Sequence, residues 1–143
     1  MLGREIGNCI AALPEAEKFD MIIPVPLHKA KQRDRSYNQS EYIAKGISGV
    51  LNLPVINNAV LRTRFTPTQT KLNKAERREN VSGAFEVNKN SINDIAGKNI
   101  ILCDDVITTG ATILECASAL KKSGCGRLWI CSAAYAELKI NVV

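Results

Sequence analysis

Residues 100–112, with the sequence IILCDDVITTGAT, constrain the fold more than any other part of the chain. Four apolar residues, 100–103, are typical of a buried β-strand, and two adjacent aspartates, Asp104 and Asp105, follow them. A short run of small and hydroxylated residues comes next, and an amphipathic pattern predicts a helix over residues 112–122. A strand, a tight turn and a helix in this order are the repeating unit of parallel α/β sheets.

The same stretch predicts a binding site, because ligands of a parallel sheet lie beyond the carboxyl ends of its strands. Backbone amides of a tight turn and of a helix N-terminus bind anions, and small side chains let the backbone close on a phosphate. We assign this role to Thr108, Thr109, Gly110, Ala111 and Thr112.

The two aspartates need another partner, since carboxylates repel phosphate. Asp104 and Asp105 could accept hydrogen bonds from vicinal sugar hydroxyls and steady a positively charged, oxocarbenium-like sugar. The pattern therefore fits a phosphorylated sugar. A plain strand–turn–helix in which the aspartates only cap the helix is the alternative left open at this point. The motifs G-x-x-x-x-G-K-[ST] and G-x-G-x-x-G are absent, which argues against a P-loop NTPase and a dinucleotide-binding fold.

The rest of the 143-residue chain predicts one α/β domain with a mainly parallel sheet. Residues 19–26, FDMIIPVP, predict a strand, and Ser36 with Gln39 or Asn38 with Glu41 could form a capping box that opens a helix. Residues 62–82 are rich in charge and weakly periodic, so they predict a long basic loop of functional importance.

The composition narrows the classes of function. No apolar run approaches the roughly 18 residues of a membrane span. Five cysteines without a C-x-x-C pair and a single histidine predict reduced thiols in a cytoplasmic protein and no protein-held metal site. The net charge of +5 suits phosphate or nucleic-acid ligands, although ordinary surface charge accounts for it equally well.

Residues 100–112 resemble the motif with which type I phosphoribosyltransferases bind phosphoribosyl pyrophosphate (PRPP). Together with IIPVPLHKAKQRDRSYNQSEYIA and LRTRFTPTQTKLNKAERRENVSGAF, they resemble the ComF competence-protein family, also called GntX-like or amidophosphoribosyltransferase-like. The resemblance implies the type I phosphoribosyltransferase fold: a twisted parallel sheet flanked by helices, with residues 62–82 as a mobile hood loop. Members commonly begin with a four-cysteine zinc ribbon, which this sequence does not show, and they have glycine at the position of Ser36.

The resemblance also assigns roles to individual residues. Asp104 and Asp105 would act at the ribose as the catalytic pair, and the threonine–glycine turn would bind the 5′-phosphate. The pyrophosphate group would be held by Pro26, Leu27, His28, Arg33 and Arg35. The two arginines could instead contact a nucleic-acid backbone or belong to a solvated face. Arg77, Arg78 and Asn80 match the family pattern in the hood loop.

The implied function is binding of PRPP with Mg²⁺ carried on the ligand, and transfer of the phosphoribosyl group with release of pyrophosphate. The acceptor is left open, because no aromatic clamp for a base is evident and Tyr135 suits a core edge as well as an acceptor site. The alternative is a non-catalytic module that senses PRPP or handles single-stranded DNA. Expected partners are PRPP, single-stranded DNA, a helicase-like competence protein and a second copy of the chain as a homodimer.

Overall fold

The computed structural model describes residues 1–27, 36–64 and 73–135 of the chain. Five helices and five strands lie in this part. The helices are α1 (Leu2–Ala11), α2 (Gln39–Leu51), α3 (Lys74–Val81), α4 (Ile92–Ile95) and α5 (Ala111–Lys122). The strands are β1 (Met21–Pro24), β2 (Val60–Arg62), β3 (Phe85–Val87), β4 (Ile100–Ile107) and β5 (Leu128–Tyr135). Short 3₁₀ turns occupy Ala16–Lys18 and Lys89–Ser91.

The central sheet has the order β1–β4–β5, and both pairings are parallel. Ile22 also forms an isolated parallel bridge with Val55, which extends the sheet beyond β1. Strands β2 and β3 form a separate antiparallel pair. The prediction of an α/β fold with a mainly parallel sheet flanked by helices is therefore confirmed.

Alternate residues of the central strands build two cores on opposite faces of the sheet. Ile23 and Leu102 pack with α5 and with the β2–β3 pair. Ile22 and Ile101 pack on the other face against α1 and α2. All four side chains are almost completely buried, so β1 and β4 hold the middle of the molecule and fix where their carboxyl ends emerge.

Helix α2 begins at a well-defined cap close to the end of β1. Asn38 is the N-cap residue, and its side-chain oxygen accepts a hydrogen bond from the Ser40 backbone N–H (3.1 Å). The rings of Tyr37 and Tyr42, one before the cap and one at the fourth helical position, meet edge to face at 5.6 Å. This contact is a hydrophobic staple, which fixes the direction in which the chain enters the helix. The predicted cap at Asn38 is confirmed, whereas the reciprocal capping box lies elsewhere, between Asn73 and Glu76 of α3.

Two predictions about element boundaries were wrong. Strand β4 does not end at Cys103: it continues to Ile107, because pairing with β5 extends to Ile107 and Tyr135. The aspartates therefore belong to the strand and do not follow it. Residues 62–82 are not a loop throughout, since residues 60–62 form β2 and residues 74–81 form α3, while residues 65–72 lie outside the described part. Among the helices of the described segments, none has the length and apolar character needed to cross a membrane.

Candidate functional site

Asp104 lies at the centre of the candidate site. Strands β1 and β4 run side by side, and Pro24 of β1 pairs with Cys103, one residue before Asp104. The Asp104 side chain is only 9% exposed. Its Oδ1 atom accepts hydrogen bonds from the Ser40 hydroxyl (2.9 Å) and from the Asp105 backbone N–H (2.9 Å). A buried carboxylate with two short donors is held in one orientation.

The environment changes the ionisation of Asp104. The pKa of the Asp104 carboxyl is raised to about 6, chiefly by burial and also by a shared hydrogen bond with the Asp105 carboxyl and by repulsion from it. The hydrogen bond from Ser40 and the backbone bond from Asp105 oppose that rise, because they stabilise the charged form. At neutral pH the group is mostly ionised, yet it is poorly solvated and therefore a strong acceptor for a ligand hydroxyl.

Asp105 is held beside it by two further contacts. Its Oδ1 atom accepts a hydrogen bond from the Val106 backbone N–H (2.8 Å). Its backbone carbonyl accepts one from the Ser132 hydroxyl on β5 (3.2 Å). Because β4 continues through both aspartates, the rigid sheet and not a flexible loop positions the pair.

The turn between β4 and α5 encloses a small hollow next to Asp104. The hollow has a volume of about 60 Å³, roughly twice the space of one water molecule in the liquid. Its lining includes Asp104 and the turn residues Thr108, Thr109, Gly110, Ala111 and Thr112. The five residues predicted to bind phosphate are thus brought together around one space.

The backbone of this turn suits an anion. Gly110 is the N-cap residue of α5 and has φ +79°, a left-handed conformation that glycine adopts without strain. Gly110 has no side chain that could cap α5, and the Thr109 hydroxyl oxygen accepts a hydrogen bond from the Ala111 backbone N–H at 3.4 Å. The first amides of a helix have no intrahelical acceptor, so the first turn of α5 leaves N–H groups for a ligand at the positive end of the helix dipole.

A larger cavity of about 400 Å³ opens near Asp104 from other parts of the chain. Pro26 and Leu27, from the loop after β1, line it together with Arg62 at the end of β2. Asn38 also lines it, and this residue is tied to the loop by a hydrogen bond from its side-chain amide to the Val25 carbonyl (3.0 Å). The cavity falls in the size range of about 300–1,000 Å³ that small-molecule sites occupy.

Arg62 brings positive charge to this cavity. Its guanidinium lies over the Phe85 ring at 5.4 Å. Burial lowers the pKa of the Arg62 guanidinium, and the negative charge of Asp104 opposes that shift, so the two groups are within electrostatic reach of each other. An arginine remains protonated despite such a shift, and its planar fork suits phosphate oxygens.

Residues 28–138 match the family model described as phosphoribosyl transferase domain. The chain belongs to this family. Among its curated relatives, Competence protein F of Haemophilus influenzae is 41% identical over 112 residues, which cover 78% of this chain and 46% of the relative. Competence protein ComFC of Bacillus subtilis is 34% identical over 110 residues, or 76% of this chain and 41% of the relative. DNA utilization protein YhgH of Escherichia coli O157:H7 is 35% identical over 105 residues, which cover 73% of this chain and 44% of the relative.

These relatives make the chain a ComF-like member of the phosphoribosyl transferase domain family. The chain spans less than half of the length of the curated relatives it matches.

Solved structures show the same fold. Glutamine PRPP amidotransferase from B. subtilis superposes with a TM-score of 0.56 at 17% identity, over 92% of this chain and 26% of that one. Adenine phosphoribosyltransferase from Saccharomyces cerevisiae gives a TM-score of 0.55 at 16% identity, over 92% of this chain and 62% of that one. The predicted type I phosphoribosyltransferase fold is confirmed by these likenesses.

The other residues predicted from the family pattern have varied positions. Pro26 and Leu27 line the larger cavity, whereas His28, Arg33 and Arg35 lie outside the described residues. Arg78 and Asn80 lie on α3, which packs against α5. The backbone of Arg77 is in the same helix, and its side chain is outside the described part. Roles of these residues in binding stay predictions.

Sequence reasoning missed the contribution of Ser40. Its hydroxyl contacts Asp104 across 64 positions of the chain, a distance that no local pattern reports. A usable signal was its place two residues after Asn38, where a cap would bring the first turn of a helix to the end of β1. Ser36, at the position where the resemblance implies glycine, has a left-handed φ of +59°, a conformation that favours glycine.

Proposed function

We propose that this chain binds the Mg²⁺ complex of PRPP and transfers its phosphoribosyl group to an acceptor, with release of pyrophosphate. One observation carries the proposal: the buried Asp104 carboxylate lines the turn hollow and is hydrogen-bonded to Ser40 at the start of α2, where Asn38 lines the larger cavity. A ligand that carries a phosphate at one end, a diol in its middle and a diphosphate at the other end fits this order of groups.

The turn hollow would receive the 5′-phosphate. Amides at the start of α5 donate to the phosphate oxygens, and the Thr108 and Thr109 hydroxyls add donors. The ribose hydroxyls would then lie over the carboxyl end of β4. They donate to Asp104 and Asp105, which hold the ring and stabilise the positive charge that grows on it as the glycosidic bond breaks.

The larger cavity would receive pyrophosphate. The Leu27 backbone N–H and the Arg62 guanidinium offer donors there, and positive charge next to a leaving group lowers the energy of the departing anion. His28, Arg33 and Arg35 from the same loop, and Arg77, Arg78 and Asn80 from the hood segment, are proposed to complete the site. Closure of such a segment excludes water while the bond breaks.

Mg²⁺ would enter with the substrate. The described residues contain no cluster of three or more histidine, cysteine, aspartate or glutamate side chains that could hold a metal ion. Mg²⁺ retains water molecules and binds phosphate oxygens together with one or two carboxylates of a protein. Asp104 and Asp105 are the carboxylates in the carboxyl-terminal half of β4, where this ligand would lie.

Calorimetric titration with Mg²⁺ and PRPP tests the proposal, on the wild type and on the double variant Asp104→Asn/Asp105→Asn. Saturable binding by the wild type that the double variant loses is the expected result. Pyrophosphate release measured with candidate acceptors then tests turnover. A wild type that binds no PRPP contradicts the proposal.

The names of the relatives favour a second proposal, in which the reaction or the bound PRPP serves DNA uptake or use in the cytoplasm. Three of them are named as competence or DNA utilization proteins. We propose single-stranded DNA and a helicase-like protein as partners. If basic residues carry DNA binding, affinity falls steeply as salt rises, and titration of an oligonucleotide at several salt concentrations measures that slope. An affinity for the oligonucleotide that does not change with salt concentration contradicts DNA binding by the basic residues.

A further inference from the structure

The cavity near Asp104 contains one group that binding of pyrophosphate does not explain. Glu41, in the first turn of α2, is half-buried and lines the same cavity as Pro26, Leu27 and Arg62. Its carboxylate repels a diphosphate, so it weakens the site if PRPP is the only ligand. No hydrogen bond or ion pair to the Glu41 carboxylate is present among residues 1–27, 36–64 and 73–135. Its charge is therefore not used by the fold in the described part of the chain.

Carboxamides make up most of the remaining polar lining of this cavity, together with Arg62 and Thr63. Asn57 and Asn58, from the turn before β2, line the cavity as well. A carboxylate and carboxamide oxygens accept hydrogen bonds and neutralise positive charge, and the described lining residues include no aromatic ring on which a base could stack. Such a surface suits a compact group with several N–H donors.

The size of the cavity leaves room for both ligands. Its volume of about 400 Å³ exceeds that of the turn hollow, about 60 Å³, more than sixfold. A cavity of this size has room for a second small molecule beside a pyrophosphate group.

We infer that Glu41 binds the acceptor of the phosphoribosyl group, and that this acceptor is a small nitrogen compound rich in N–H donors, an amine or an amidine. The inference rests on the proposed function. Glu41 would act as a catalytic residue on the neutral form of the acceptor: the nitrogen lone pair forms the bond to C1, the C1–O bond to pyrophosphate breaks with its electron pair leaving on pyrophosphate, and one N–H proton passes to the Glu41 carboxylate. A positioned general base contributes about 10²–10⁴-fold to such a step.

The test compares Glu41→Gln with Glu5→Gln, a matched control. Glu5 is also a glutamate in the first turn of a helix, but it is exposed and does not line the cavity. Ammonium chloride, ethylamine and acetamidine serve as acceptors, and pyrophosphate release from Mg²⁺ and PRPP is followed at pH 8. Calorimetry measures the affinity of each protein for PRPP separately.

At least one of the three compounds should accelerate pyrophosphate release by the wild type and by Glu5→Gln. Glu41→Gln should bind PRPP at least as tightly as the wild type, because a repelling charge is removed, and should lose roughly hundredfold of the stimulated rate. If the wild type binds PRPP and none of the compounds accelerates release, the inference is wrong and PRPP binding stands. Equal rates for both variants, or weaker PRPP binding by Glu41→Gln, also overturn it. Failure of the wild type to bind PRPP removes the proposed function itself.

Discussion

The two spaces near Asp104 are built in different ways. The turn hollow is lined by residues 104 and 106–113, one continuous stretch that passes from β4 into α5. The larger cavity draws on three separate segments: the loop after β1, the start of α2, and the stretch that runs from the turn before β2 to the residue after it. The first site depends mainly on backbone amides, whereas the second depends on side chains that long-range packing brings together.

This difference predicts separable effects of mutation. Ribose 5-phosphate has the phosphate and the diol of PRPP but lacks pyrophosphate, so it should use only the hollow and the aspartates. Mutations at the hollow or at the aspartates should reduce the affinity for both ligands. Mutations at the larger cavity should reduce the affinity for PRPP alone.

The largest effect is expected for Asp104→Asn. The change removes a charged acceptor of ribose hydroxyls, and hydrogen bonds to charged groups contribute about 1.5–3 kcal/mol each. Affinity for PRPP and for ribose 5-phosphate should each fall about hundredfold in calorimetry. If only the affinity for PRPP fell, Asp104 would act on the pyrophosphate group, and the assignment of Asp104 to the ribose would be wrong.

The same variant should be more stable than the wild type at neutral pH. The pKa of Asp104 is raised to about 6 in the folded state, so the folded protein gains stability from this group at low pH and loses it as the pH rises towards 6. Removing the charge should add about 2–3 kcal/mol to the free energy of unfolding at pH 7. Urea unfolding should show that gain disappear as the pH approaches 4, and a gain independent of pH contradicts the assignment.

Gly110→Ala should reduce the affinity for PRPP and for ribose 5-phosphate about tenfold each. A left-handed φ of +79° costs a residue with a β-carbon about 1–2 kcal/mol, and the turn can relieve that strain only by moving its amides. The added β-carbon meets only Leu114 at 3.6 Å, an ordinary contact. Gly124→Ala is the control, because Gly124 has φ +81° and open space away from the site. The control should lose stability in urea unfolding and keep its affinity; equal affinity loss in both variants would contradict a local effect.

Arg62→Lys probes the larger cavity. Loss of the planar fork should reduce PRPP affinity by about tenfold, since lysine cannot make the paired hydrogen bonds that arginine offers to phosphate oxygens. Affinity for ribose 5-phosphate should not change. Arg127→Lys, an exposed arginine just before β5, serves as the control in the same titrations. Weaker ribose 5-phosphate binding by Arg62→Lys would mean that the two spaces are not separate subsites.

Ser40→Ala should shift the pH dependence of binding. The Ser40 hydroxyl stabilises the charged form of Asp104, so its loss raises the pKa of Asp104 above about 6. The midpoint of the affinity–pH curve for PRPP should move up by about one unit relative to the wild type, with a several-fold loss at pH 7. The ionisation of PRPP itself is the same for both proteins and cancels. An unchanged midpoint would show that Asp104 does not govern binding.

The smallest effect is expected at the family's glycine position. Ser36→Gly relieves the left-handed φ of +59° and adds flexibility to the unfolded chain, with a net stabilisation of about 0.5–1 kcal/mol. Urea unfolding measures it, and PRPP affinity should stay within twofold. A destabilised variant would mean that the serine side chain has a role that its backbone conformation does not explain.

The contrast between the two spaces also explains what could be predicted from the sequence. The first half of strand β4, the turn and α5 were predicted, because the apolar run, the turn residues and the start of the helix are all local signals in one continuous stretch. Asp104 and Thr108–Thr112 are neighbours in the chain, so their proximity follows from the turn itself. Ser40 and Arg62 could not be placed at the site, because their nearness to Asp104 depends on packing between segments far apart in the chain.

Two local signals in the sequence indicate the true element boundaries but were not used in the predictions. Val106 and Ile107 continue the apolar character of β4 beyond the aspartates, and they extend the strand in the structure. The capping pair Asn73 and Glu76 marks the start of α3 inside a region that high charge made look irregular. The prediction of a loop there rested on charge and weak periodicity, and a helix with few apolar residues gives a weak periodic signal.

Chemical-shift mapping of backbone amides tests the central claim most directly. A titration with ribose 5-phosphate should shift residues 104–112 only, and a titration with Mg²⁺ and PRPP should shift these residues together with Leu27 and Arg62. Shifts at the turn for both ligands, with the second set specific to PRPP, would support a single ligand that extends from the hollow past Asp104 into the larger cavity. No shift at the turn with either ligand, or shifts confined to other faces of the sheet, would contradict that account.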